Sequence, residues 1–202
     1  MDGIDLDWEY PGAQDIPGIP SADPFDGQSY VELLKLLRQK LGKEKTISIA
    51  APASYWYLQN FPIAEMAQVV DYIIYMTYDL HGQWDHNSKW AMPGFDGTSC
   101  LRSHINMTET MSSLAMITKA SVPSNKIVVG VSSYGRSFET TQAECTGPQC
   151  SFTGPDSTAK KGRCTGTSGH ISNAEIDDII KSASAGGKRA EGAIQTFTDD
   201  TE

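Results

Sequence analysis

The stretch Asp2-Gly3-Ile4-Asp5-Leu6-Asp7-Trp8-Glu9 decides how the rest of the chain is read. From Gly3 to Glu9, Ile4, Leu6 and Trp8 alternate with Asp5, Asp7 and Glu9, and a period of two is that of a β-strand. One face of that strand is apolar and the other wholly acidic. Alternate side chains lie about 6.6 Å apart on one face, so two full charges there repel by about 2.5 kcal/mol at an effective dielectric near ~20. That is nearly two pKa units, roughly 1.4 kcal/mol each. In a buried row the three carboxyls do not all ionise near neutral pH, and one keeps a proton it can donate. Acid-catalysed glycosyl transfer needs such a group beside charged neighbours. A solvated acidic edge and a hard-cation site remain alternatives. Asp2-Gly3 ahead of the strand, and Trp8 and Tyr10-Pro11 around its end, weigh against the solvated edge.

Working outward, a loop rich in Pro, Gly and Asp follows as far as Gly27. Ser29 then reads as a helix N-cap with Glu32 as its capping-box partner. Val31, Leu34, Leu37 and Leu41 continue at helical spacing to a stop at Gly42. Residues 46–51 form a second strand ended by Pro52, and 63–70 a short helix introduced by Pro62. Residues 71–79 form a third strand, followed by a loop over 80–98. A helix over 108–120 is capped by Thr108, and an apolar fourth strand over 127–134 ends at Gly135-Arg136. The alternation over 1–136 predicts an α/β fold with a parallel sheet covered by helices, its polar residues in the loops after the strands. Beyond 136 the composition turns to Thr, Gly, Ser and Cys with one helix near 172–184, which reads as a smaller α+β insertion.

Charge narrows the function classes. With 25 acidic against 16 basic side chains the net charge is -9, opposite to what a phosphate-tracking nucleic-acid binder carries, and no polybasic membrane anchor is present. No apolar run approaches the roughly 20 residues that span a bilayer. Cys100, Cys145, Cys150 and Cys164 allow three fully paired connectivities, among which the sequence does not choose. Neither C-x-x-C nor a paired-His spacing occurs, so no metal site is expected, and His81 and His86 read as solvated loop histidines. Loop cysteines together with the acceptor tripeptide Asn106-Met107-Thr108 lean towards an oxidising compartment. Tyr55, Trp56, Trp84 and Trp90 fall in loops after strands, where an aromatic ring serves either packing or a pyranose face.

Asp2-Gly3-Ile4-Asp5-Leu6-Asp7-Trp8-Glu9 resembles the D-G-x-D-x-D-x-E signature of the family 18 glycoside hydrolases, the chitinases. Met76-Thr77-Tyr78-Asp79 is similar to the M-x-Y-D motif ending that family's sixth barrel strand. Val129-Gly130-Val131-Ser132-Ser133-Tyr134-Gly135-Arg136 resembles the seventh, which an α+β insertion follows in many members. Cys145-Thr146-Gly147-Pro148 and Gly162-Arg163-Cys164 resemble the fungal class V branch related to killer-toxin α-subunits. The resemblance implies part of a TIM (β/α)8 barrel, its fourth to seventh strands, over 1–136. It implies an insertion domain over 137–202, cut before the last barrel strand. Such a half barrel exposes sheet edges, so the chain by itself is expected to be poorly stable and weakly active.

The resemblance also implies a chemistry: hydrolysis of β-1,4 N-acetylglucosamine linkages in chitin or chitooligosaccharides, with retention, the substrate's own acetamide serving as nucleophile. Glu9 takes the place of the acid and base, Asp7 of the group orienting the acetamide, and Asp5 of the partner that shares a proton. Tyr78 matches the donor to the acetamide oxygen and Met76 the floor beneath it. Asp79, Arg136, Tyr10 and Trp84 match sugar-binding positions. No cofactor or metal is implied, nor any nucleic-acid or membrane partner. A complete protein of this kind is expected to be a secreted monomer, although no signal peptide is visible in this chain. A chitin-binding lectin on the same scaffold and an inactive remnant are the alternatives, and lectins of this kind typically lack the acid that Glu9 supplies.

Overall fold

The computed structural model describes residues 1–16, 23–88, 99–143, 145, 147 and 150–185. Their contacts group the chain into two compact units, Met1–Tyr78 with Met107–Val131, and Asp79–Asn106 with Ser132–Glu202.

The first unit is α/β with a parallel sheet. Its elements are β1 (Gly3–Leu6), α1 (Asp26–Leu41), β2 (Thr46–Pro52), α2 (Tyr55–Leu58), α3 (Ile63–Val69), β3 (Tyr72–Met76), α4 (Met107–Lys119) and β4 (Ile127–Val129). All neighbours are parallel, in the order β1-β2-β3-β4, with Asp5 opposite Ser48, Ile49 opposite Ile73 and Ile74 opposite Val128. Each crossover therefore steps in the same direction, and right-handed connections then lay the helices on one face. Alternate residues Ile47, Ile49 and Ala51 of β2 and Ile73 and Tyr75 of β3 are 0% exposed, forming that covered face. The Tyr75 hydroxyl donates to the Ser113 carbonyl of α4 at 3.0 Å, which satisfies its one buried polar atom. Two glycines allow close approach. A Cβ on Gly3 would stand 1.9 Å from Thr46 Oγ1, and one on Gly130 would meet the Tyr75 carbonyl at 2.8 Å and the Tyr78 ring at 2.9 Å.

Several element ends differ from the sequence reading. Helix α1 starts at Asp26, one turn before the expected cap, and the Ser29 N–H already bonds the Phe25 carbonyl at 2.9 Å. Aspartates build that start: Asp23 Oδ1 accepts from Phe25 N, and Asp26 Oδ2 from Asp23 N and Gly12 N. Thr108 lies inside α4 rather than capping it. The third strand is shorter than 71–79: at its start Asp71 turns its carboxylate to the Ile47 N–H and to Arg38, and beyond Met76 the Thr77 N–H turns to the Tyr75 carbonyl and Asp79 takes a left-handed backbone. The run 127–134 is not one strand. It ends in the parallel sheet at Val129, and Tyr134 begins a different sheet.

The second unit holds a 3-10 turn (Gln83–Asp85), β5 (Tyr134–Arg136), β6 (His170–Ser172) and α5 (Asn173–Ala185). Strands β5 and β6 are antiparallel, with Arg136 opposite His170 and Tyr134 opposite Ser172. Isolated bridges join Cys100 to Ser151 and Thr140 to Phe152, and Phe152, 1% exposed, packs against Phe138 with ring centroids 4.9 Å apart. Cys145 and Cys150 form a disulfide, while the Cys100 thiol is buried and that of Cys164 exposed. At the start of α5, Ser172 Oγ accepts from the Glu175 N–H while Glu175 accepts from Ser172 N, a reciprocal cap. Among the described residues no helix is long and apolar enough to cross a membrane, and no group of three side chains is placed to hold a metal ion.

Candidate active site

In the first unit the acidic residues gather at the C-terminal end of β1. Strand pairing stops at Leu6, so Asp7 and Glu9 extend beyond the ladder. Asp5 Oδ1 accepts a hydrogen bond from Ser48 Oγ at 2.5 Å, directly across the register on the neighbouring strand. Partial desolvation of its carboxyl at this exposed strand end raises Asp7 above the usual carboxylate range, and the charges of Glu9 and then Asp5 push it further. Glu9 shares a hydrogen bond with the Tyr10 hydroxyl. Burial chiefly, with help from Glu9, Tyr57 and Asp7, drives the Tyr10 phenol far above its ordinary pKa. Tyr10 in turn stacks on Tyr57 with centroids 4.3 Å apart.

The buried row expected from sequence is not observed, since Asp5, Asp7 and Glu9 are all exposed. The reason is the sheet order: β1 is an outer strand and pairs only with β2 among the described residues. With water on the open side, the repulsion at that spacing falls towards about 0.6 kcal/mol. Mutual charge still acts on Asp7, although less than a dry row would impose. Met76 is buried at the end of β3, and Tyr78 lies half-buried with its ring against Gly130.

In the second unit Asp79 is the centre of a dense cluster. Arg136 grips it with both arms of the guanidinium, Nε to Oδ1 at 2.8 Å and Nη2 to Oδ2 at 2.6 Å. The Tyr134 hydroxyl donates to Oδ2 at 2.5 Å, and His104 Nδ1 stands 3.3 Å from Oδ1. Burial pushes the Asp79 carboxyl up, but the hydrogen bonds from His104, Arg136 and Tyr134 and the Arg136 charge overcome it. The carboxyl is held far below the usual range. Asp79 is thus an anion at any physiological pH and accepts rather than donates. The Arg136 guanidinium also lies over the exposed Trp84 ring, 4.8 Å from its centroid.

Of the other residues singled out in the sequence, Tyr55 and Trp56 lie exposed on α2, and Trp90 falls outside the described residues. His81 is not a solvated loop histidine: it is buried, with Nδ1 2.7 Å from the buried Asp85 carboxylate. Sequence reasoning missed Ser48, Tyr134 and His104 as partners of the acids. Ser48 was recoverable from the parallel register, and Tyr134 from its place two residues before Arg136. Nothing in the sequence marks His104, a lone histidine shortly before a helix.

The pattern of the glycosyl hydrolases family 18 matches residues 1–201. Secreted chitinase LysM12 of Penicillium expansum is 59% identical over 182 residues, which are 89% of this chain and 12% of that protein. Killer toxin subunits alpha/beta of Kluyveromyces lactis is 41% identical over 199 residues, 98% of this chain and 16% of its own length. Among solved structures, a mutant of Ostrinia furnacalis Group II chitinase catalytic domain 2 in complex with (NAG)5 aligns with a TM-score of 0.70 at 27% identity, covering 89% of this chain and 46% of that one. The chain therefore spans less than half the length of each of these three. A family pattern that runs through the acidic strand, the Asp79 motif and the Arg136 strand leaves one assignment: the chain belongs to the glycosyl hydrolases family 18.

Proposed function

We propose that this chain supplies catalytic residues for hydrolysis of β-1,4 N-acetylglucosamine linkages in chitin or its oligosaccharides, with retention of configuration. The carrying observation is the arrangement of three acids at the C-terminal end of a parallel strand, with Asp5 tied to Ser48, Glu9 accepting from the Tyr10 hydroxyl and Asp7 between them. Glu9 donates a proton to the glycosidic oxygen as that bond breaks. The substrate's acetamide oxygen bonds to the anomeric carbon, giving an oxazolinium ion whose charge Asp7 stabilises. Water then attacks that carbon, Glu9 takes its proton, and the acetamide is released. Asp5, fixed by Ser48, shares the proton that Asp7 exchanges as it turns between its neighbours. Tyr78 donates to the acetamide oxygen over Met76, Asp79 binds the sugar in its distorted form, and Arg136, Tyr10 and Trp84 contact sugar beside it. No cofactor takes part.

The single-direction strand order supports a (β/α)8 barrel segment holding its fourth to seventh strands, with 1–136 catalytic and 137–202 an insertion. The name of the 59%-identical Penicillium relative supports secretion. The presence of Glu9 weighs against a lectin-like role. The test is substrate dependence in the full-length natural protein. Chitopentaose is expected to be cleaved with the β-anomer first to appear by NMR, whereas the fully deacetylated pentamer is left intact. Equal cleavage of both removes the acetamide from the mechanism.

A further inference from the structure

We infer that His104 is a positioning residue that holds Asp79 in its working geometry. The inference rests on the assignment of Asp79 to the sugar site above and deepens it. His104 is only 6% exposed, and a buried imidazole needs partners for its nitrogens. Its Nδ1 accepts from the Asp79 N–H at 3.2 Å and lies 3.3 Å from Asp79 Oδ1. Its backbone carbonyl accepts from the Leu80 N–H at 3.1 Å, so ring and main chain bind consecutive residues. The Asp79 backbone, with φ of 56°, lies in the left-handed region, which Asp tolerates better than most residues but still at a cost that contacts to its N–H offset.

A second path runs through Tyr134. The His104 ring stacks on the Tyr134 ring with centroids 5.4 Å apart and planes 19° from parallel, and the Tyr134 hydroxyl donates to Asp79 Oδ2. His104 thus acts through Nδ1 on either the backbone N–H or one carboxylate oxygen of Asp79, and on the other oxygen through Tyr134. Arg136 supplies charge and lies over both the Tyr134 ring, 5.4 Å from its centroid, and the exposed Trp84 ring. The buried side of the clamp is the histidine. Nδ1 serves one partner at a time: it accepts from the N–H when the ring proton is on Nε2, and donates to Oδ1 when it carries a proton itself.

Three variants of the full-length natural protein separate this role from simple packing. His104→Phe keeps the stack and loses the nitrogen, His104→Asn keeps a polar atom near Nδ1, and Asp79→Ala removes what is positioned. His104→Phe is expected to lower kcat on chitopentaose about tenfold or more with KM changed less than about twofold, and His104→Asn to recover most of that loss. In the Asp79→Ala background His104→Phe is expected to have no further effect on kcat. If His104→Phe does not accumulate as folded protein, His104→Gln, whose amide is displaced from Nδ1, takes its place with the same expected loss. Wild-type kcat in either variant, while Asp79→Ala is crippled, overturns the role of His104 alone. The same proportional loss with and without Asp79 also overturns it. Wild-type turnover by Asp79→Ala instead overturns the assignment of Asp79 and this inference with it.

Discussion

Asp7 lies between two other carboxylates, and the fold pays for that arrangement in stability. Partial desolvation and then the charges of Glu9 and Asp5 raise its carboxyl, so folding disfavours the ionised form relative to the unfolded chain. The penalty is therefore absent below the ordinary aspartate pKa of about 4 and grows as pH rises through the raised value. Asp7→Asn is expected to stabilise the protein at pH 7, by no more than about 1 kcal/mol because the site is exposed, and to give no gain near pH 3. Thermal unfolding at the two pH values checks this; a variant that melts lower at pH 7 contradicts it. The same substitution should suppress turnover, since it removes the charge opposite the forming oxazolinium. At this scale the sequence was most informative about chemical type. Period two put three acids in one row, but exposure of that row depended on which strands stand beside β1, and spacing carries no such information. The clamp on Asp79 was half legible: Arg136 lay within the quoted run, whereas His104 comes from a distant loop that only the fold brings near.

Element ends show where local rules gave way to long-range contacts. Ser29 and Glu32 satisfied a capping pattern, yet Asp23 and Asp26 capture the backbone earlier, one of their donors being Gly12, 14 residues back at the start of the same connection. Apolar residues from 127 to 134 read as one strand because composition does not say which sheet a residue joins. At α5 the cap is reciprocal and also reaches back: Glu175 accepts from Thr165 Oγ1, Cys164 N and Ser172 Oγ. The hydrogen bond from Thr165 first, then that from Cys164 N and the rest, bring its carboxyl down to about 2 against the opposing effect of burial. A lowered pKa means that this stabilisation is complete above the ordinary glutamate value and is lost as pH falls towards about 2. Amide exchange at Cys164 and Thr165 is therefore expected to be slow at pH 5 and faster, relative to the intrinsic rate, at pH 2.5. Glu175→Gln should exchange fast at both. Equal protection in the variant contradicts the bridge.

At the scale of the whole molecule, the parallel sheet of the first unit keeps two edges among the described residues, and apolar side chains stand near them. Ile4 is 37% exposed, Val128 47% and Val131 87%. Unpaired edges with exposed valines invite association. A polypeptide limited to these 202 residues is expected to sediment as oligomers at roughly 50 μM, and Val131→Lys to shift it towards monomer. A monomer without the substitution contradicts that view. The most direct test of the account concerns Glu9. Glu9→Gln in the full-length natural protein is expected to lower the rate of chitopentaose cleavage about a thousandfold or more while leaving its binding within about threefold. Cleavage by that variant at the wild-type rate would contradict the central claim.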